Sequence, residues 1–102
     1  MIRFEWDPLK ARANERKHGV SFEIARFAFD DPDAQVGHDR IERGERRWQT
    51  LGMVGGELLL LVAHRVEFED DEGEIIHIIS ARRAERKEKR RYEEARQENR
   101  ER

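Results

Sequence analysis

Cysteine is absent from this 102-residue chain, which removes both a disulfide framework and a thiolate nucleophile from consideration. Long apolar runs are missing too. The longest, Leu58 to Ala63, falls far short of the ~20 residues a membrane-spanning helix needs, and no basic start leads into a signal-like apolar stretch. A soluble cytoplasmic protein with no membrane partner is the expectation. The four histidines are scattered, with no pair at the spacing of a zinc-binding helix, so no metal is expected. Gly52 and Gly55-Gly56 lack the following Lys-Ser/Thr of a phosphate-binding loop, and Ser80 lacks a nucleophile-elbow context. No cofactor is expected.

Charge is what the chain has in abundance: 43% of residues are charged and only 36% hydrophobic, against roughly 25% charged in an average domain. The length suits a single domain, residues 1–102, with one small core. Net charge is only −2, yet residues 82 to 102 hold ten Lys/Arg and six Asp/Glu, so a basic end sits on an acidic body. Such polarity suits a molecule that turns one face to nucleic acid and another to a basic partner; it also suits a small domain that merely needs solubility.

Ile2-Arg3-Phe4-Glu5-Trp6 alternates like a half-buried strand. Asp7-Pro8 supplies a cap and a first helical position, and Gly19 a stop, which predicts a helix from Pro8 to His18. Ser21 caps a second, short helix with apolar Phe22, Ile24, Ala25, Ala28 and Phe29, ending before Asp30-Asp31-Pro32. Ala34 to His38 reads as a weak strand and Asp39 to Glu45 as a polar loop. Arg46 to Val54 and Glu57 to Phe68 flank Gly55-Gly56, a hairpin signal, and a second hairpin runs through Glu69 to Gly73 into Glu74 to Arg82. The fold class is therefore α+β: a curved antiparallel sheet, two N-terminal helices on one face, the other face partly open. From Ala84 a charged helix begins with few apolar positions; it is expected to be exposed, supported by pairs such as Glu85 with Lys89, and to fray over residues 93–102.

The strand ending Ile75-Ile76-His77-Ile78-Ile79-Ser80-Ala81 delivers Arg82 and Arg83 at its exit. Guanidiniums are forked, permanently charged donors that match phosphate oxygens, and a rigid anchor preorganises them, so RNA is the first substrate to consider. Metal-free RNA cleavage needs a cation for the charge that builds on phosphate, with groups to move protons. Arg82 and Arg83 are the first candidates for the cation; ion pairing with the acidic body is their alternative role. By alternation Arg82 follows Ile76, Ile78 and Ser80, and Arg83 follows Ile75, His77, Ile79 and Ala81. Lys17 could contact phosphate and His18 act as acid or base, or both could simply suit a helix C-terminus. His64 and His77 share a face only if their hairpin pairs them directly. Tyr92 could stack on a base or pack the last helix onto the sheet; Trp6 and Trp48 face the same choice. The basic run from Arg86 to Arg91, with Lys87 and Arg90, could track an RNA backbone or simply be a solvated helix face.

Phe4-Glu5-Trp6-Asp7-Pro8 with Lys10, Asn14 and Lys17-His18-Gly19-Val20-Ser21-Phe22-Glu23 resembles the opening signature of the BrnT toxin family. Asp30-Asp31-Pro32, Gly44-Glu45-Arg46-Arg47-Trp48, Leu51-Gly52 and Ile78-Ile79-Ser80-Ala81-Arg82-Arg83-Ala84 with Tyr92 match its later blocks in order. The resemblance spans residues 4 to 92; Ile24 departs from it, standing where the family commonly has an acidic residue. It implies a RelE-like fold, a metal-independent endoribonuclease that blocks translation, and a neutralising BrnA-like antitoxin that assembles as two toxins with two antitoxins and alone contacts DNA. Arg82, Arg83, His18, His64 and Tyr92 are then the candidate catalytic residues, and Lys17, Arg86, Lys87 and Arg90 the candidate RNA contacts.

Overall fold

A computed structural model describes residues 2–69 and 73–101. The elements are β1 (Ile2–Glu5), α1 (Pro8–His18), α2 (Phe22–Ala25) continued by a 3₁₀ turn (Arg26–Asp30), β2 (Gln35–Glu42), β3 (Glu45–Val54), β4 (Leu58–Glu69), β5 (Gly73–Arg83) and α3 (Arg86–Arg100). Local chemistry sets the helix ends. The Asp7 carboxylate accepts from the Leu9 N–H at 2.9 Å, the Ser21 hydroxyl accepts from Ile24 at 3.2 Å, and Gly19 closes α1 with φ of 70°. Residues 70–72 of the expected second hairpin loop lie outside the described residues. α3 is helical to Arg100, through most of the segment expected to fray.

The sheet has five strands in the order β1-β5-β4-β3-β2. Three expectations need correction. The sheet is mixed, because β1 runs parallel to β5; the chain leaves β1 through the helices and joins the β2–β3–β4–β5 meander from its far edge, so β1 shields the outer edge of β5, pointing the same way. β2 extends through the segment expected as a loop, because Arg43 and Gly44, at φ of 53° and 81°, make a two-residue turn into β3. Finally, β5 carries a bulge: Ser80 pairs with Ala63 and Ile78 with His64, leaving Ile79 as the extra residue. The bulge flips the alternation. Ile76, Ile78, Ala81 and Arg83 share one face; His77, Ser80 and Arg82 share the other.

The first face is closed by α1, α2 and the 3₁₀ turn, with Val20, Phe22 and Ala25 packed on Leu60, Val62 and Ile76. Gly52 lets the turn come in close, since a Cβ there would lie 2.2 Å from the Ala28 carbonyl oxygen. On the second face Leu51, Leu59 and Leu61 receive Ala84 and Tyr92 of α3. α3 is thus docked over half of this face, although the sparse apolar residues of its sequence read as an exposed helix. The other half of the second face carries no helix.

Candidate nucleic-acid interface

Three rows of side chains cross the second face. The first comprises Leu61 paired with Leu51 and Arg82, with Gln35 beyond Leu51; this row lies under α3. The second is small and polar: Gly37 pairs with Gln49, Gln49 with Ala63, and Ala63 with Ser80. The third is ionic. Arg40 pairs with Arg47 on one side, and Arg65 with His77 and His77 with Glu5 on the other; strand alternation puts Arg47 and Arg65 on the same face. The middle row forms the floor of a trough between α3 and this ionic row. At the β2 end a cleft of about 270 Å³ is lined by Gly37, Gln49, Leu61 and Arg91.

The cations of the trough are held by carboxylates. Arg82 donates two 2.9 Å bonds to Glu88 and a further one of 3.2 Å to its neighbour's carbonyl. This bidentate pair holds the Glu88 carboxyl below its ordinary value and raises Arg82 further. Glu88 Oε1 also accepts the Glu85 N–H at 2.7 Å, so the carboxylate that orients Arg82 also starts α3. Arg65 reaches Glu67 at 2.5 Å and Glu45 at 3.6 Å. The Arg65 hydrogen bond, aided by His77, keeps the Glu67 carboxyl below its usual range. Arg47 and Arg40 both approach Glu42, at 3.7 and 3.3 Å. His77 Nε2 lies 3.4 Å from both Glu5 and Glu67, and neither contact is a formed hydrogen bond. Among the described residues no group of three or more His, Cys, Asp or Glu is arranged to hold a metal ion.

The structure separates the residues singled out from sequence. Arg82 faces the trough, while Arg83 falls on the opposite face, paired with Leu60 and exposed. Lys17 and His18 end α1 on that same closed side, where Asn14 bonds the backbone of Ala81 and Val20. His64 is 3% exposed, with Nε2 2.8 Å from the Thr50 hydroxyl, and burial lowers its pKa to about 4. It pairs with Ile78, so the hairpin puts His64 and His77 on opposite faces. Tyr92 is 2% exposed, leaving no ring face for a base; its hydroxyl donates to Asp31 at 2.5 Å. Asp31 also accepts from the Met53 and Asp33 N–H groups. Burial pushes the Asp31 carboxyl up, but these bonds outweigh it and hold the group low, while burial and Asp31 push the Tyr92 hydroxyl up. The Asp30-Asp31-Pro32 block therefore anchors α3 as well as ending a helix. On α3, Arg86, Lys87 and Arg90 are all exposed.

Arg47 and Arg65 escaped sequence reasoning, whereas Arg91 lay within the basic run of the last helix already considered for RNA. Their signal was present for Arg65, in the polar turn that the alternation of β4 takes toward its end, but its face became meaningful only once α3 was seen to leave it uncovered.

The family model of the ribonuclease toxin BrnT of type II toxin-antitoxin systems matches residues 6–88. Among solved structures, the 1.1 Å crystal structure of the Brucella abortus ribonuclease toxin BrnT superposes with a TM-score of 0.63 at 23% identity, covering 84% of this chain and 100% of that one. A search of curated proteins found no match.

Proposed function

The chain belongs to the BrnT family of ribonuclease toxins of type II toxin-antitoxin systems, and from that premise we propose that the trough is where RNA is bound and cut. A family of this kind implies an antitoxin partner. The observation that carries the reading is the ionic row facing α3 across a floor of small side chains: it is long enough for a single strand, and its guanidiniums are fixed by carboxylates before RNA arrives.

RNA carries its own nucleophile. In the proposed RelE-like reaction the 2′-oxygen bonds to the adjacent phosphorus, the bond to the 5′-oxygen breaks, and charge gathers on the non-bridging oxygens. Arg65 meets that charge from the sheet, Arg82 holds a phosphate further along the strand, and the exposed cations of α3 hold the flanking backbone. No step calls on a metal. Cutting message in the cytoplasm stops translation, and the antitoxin restores it by covering the trough, in a complex of two toxins and two antitoxins that reaches DNA through the antitoxin. Among the described residues no helix is long and apolar enough to cross a membrane.

Induced expression of wild type, Arg65→Ala and Arg82→Ala, with growth followed and RNA 5′ ends mapped, tests this. Wild type should arrest growth, and the purified protein should cut RNA in excess chelator; Arg65→Ala should lower cleavage by about 100-fold and Arg82→Ala by less. Growth arrest with intact RNA would instead favour a module that binds nucleic acid or protein without cutting, a role that the saturated Arg82–Glu88 pair would also suit.

A further inference from the structure

Proton transfer is the part of the chemistry that the arginines cannot perform, since a guanidinium stays charged at any working pH. Imidazole is the natural alternative, and the chain has four histidines. Three lie outside the row that holds Arg65. His18 ends α1 on the closed side. His38 and His64 both pair with Trp48, in a row that continues to Ile78 on the closed face. His77 alone shares the open face with Arg65 and Arg82, directly opposite Arg65 in the β4–β5 register.

Its surroundings suit the task. Nε2 is 3.4 Å from Glu5 Oε2 and 3.4 Å from Glu67 Oε1, so two carboxylates favour a proton on that nitrogen and leave the Nδ1 lone pair as the acceptor. The side chain is 20% exposed, accessible from the trough yet braced by strands on both sides. Next along the open face, Ser80 and Ala63 are small, leaving room for a nucleotide.

We infer that His77 is the general base of this site, accepting the 2′-hydroxyl proton of an RNA strand whose scissile phosphate lies on Arg65. The 2′-oxygen then bonds to phosphorus, the 5′-oxygen departs and takes a proton from water, and a 2′,3′-cyclic phosphate remains on the upstream fragment. Arg82, about 13 Å away along the strand, holds a neighbouring phosphate. Among the described residues, the charged groups facing His77 are Arg3 and Glu5 of β1 and Arg65 and Glu67 of β4.

This assignment rests on the ribonuclease reading, and one experiment separates the two. Cleavage rates are measured against pH for purified wild type, His77→Gln, Glu5→Gln and, as a control on the closed side, His18→Gln, using free RNA or ribosome-bound message, whichever the wild type cuts. Circular dichroism and antitoxin binding confirm each fold. His77→Gln should lower kcat about 100-fold or more with little change in KM, and should abolish the rate change between about pH 5 and 8. Glu5→Gln keeps the imidazole but removes one of the two carboxylates beside Nε2, so it should lower kcat less than His77→Gln does; His18→Gln, on the closed side, should match wild type. A kcat for His77→Gln within about threefold of wild type, a loss confined to KM, or an equal loss in His18→Gln would overturn the assignment. A wild type that cuts no RNA would instead sink the ribonuclease reading itself.

Discussion

The two faces of this sheet are made from the same strands yet spend their residues differently. The closed face carries the larger apolar cluster, and Phe22, Ala25 and Ala28 of its helical layer are fully buried. The opposite face has a smaller apolar cluster, which α3 covers through Ala84 and Tyr92, and then changes abruptly to arginine, histidine and glutamate. The difference teaches that a chain with 43% charged residues can still fold, by concentrating its core on one side. The other side is then free to hold cations at fixed positions, provided each has a carboxylate to balance it.

That division predicts opposite outcomes for substitutions on opposite faces. Phe22 is 0% exposed and packs edge-on against Trp6, with ring centroids 6.0 Å apart. Phe22→Ala should cost about 3–5 kcal/mol, the usual range for removing a buried phenyl group. In urea unfolding the midpoint should fall sharply while cleavage per folded molecule stays unchanged. A loss of cleavage at normal stability would break the comparison, because the closed face would then be part of the site.

His64 sharpens it further. Burial lowers its folded pKa from 6.5 to about 4, so between those values the unfolded chain binds a proton that the folded chain refuses. Stability must therefore fall as pH drops through this window, by on the order of 3 kcal/mol once both values are passed. Asp31, Glu67 and Glu88 also have depressed values, but as carboxyls they act near and below their ordinary range, so the interval from pH 6.5 to 5 isolates the histidine. Urea titrations at pH 7 and 5 should show the loss in wild type and a much smaller one in His64→Gln. A histidine serving as an exposed catalyst would behave the other way, with activity lost and this pH dependence absent.

The sequence could reveal one face more easily than the other. Asp7, Gly19 and Ser21 announced the helices because capping is local chemistry, and Gly55-Gly56 announced its hairpin because both residues need positive φ, here 61° and 74°. The run Leu58 to Val62 revealed a strand with a core side. Direction and register are tertiary properties, so the parallel pairing of β1 left no local trace. The Ile79 bulge left none either, since every residue from Ile75 to Ile79 except His77 is apolar and an extra isoleucine looks like its neighbours. That one residue decides which of Arg82 and Arg83 faces the trough. The basic strand exit was legible from composition; its geometry was not, and Arg65 and His77 gained meaning only when the register placed them opposite each other.

The smallest effect expected is on α3, where the comparison narrows to two flanks of one helix. Arg91 lines the cleft at the end of the trough. At 100° per residue Lys87, one turn earlier, follows it onto that flank, whereas Arg86 and Arg90 turn toward the other side and away from the sheet. Lys87→Ala with Arg91→Ala should weaken RNA binding several-fold at low salt and reduce the slope of log affinity against log salt by about 0.7 per cation, as for single strands. Arg86→Ala with Arg90→Ala should change that slope less, and either pair should alter stability by only about 0.5 kcal/mol, because all four side chains are exposed. Binding of a short single-stranded RNA, measured by fluorescence anisotropy across a salt series, decides between the flanks. Equal losses from both pairs would mean that the helix attracts RNA as a diffuse positive rod, with the trough wall no better placed than its back.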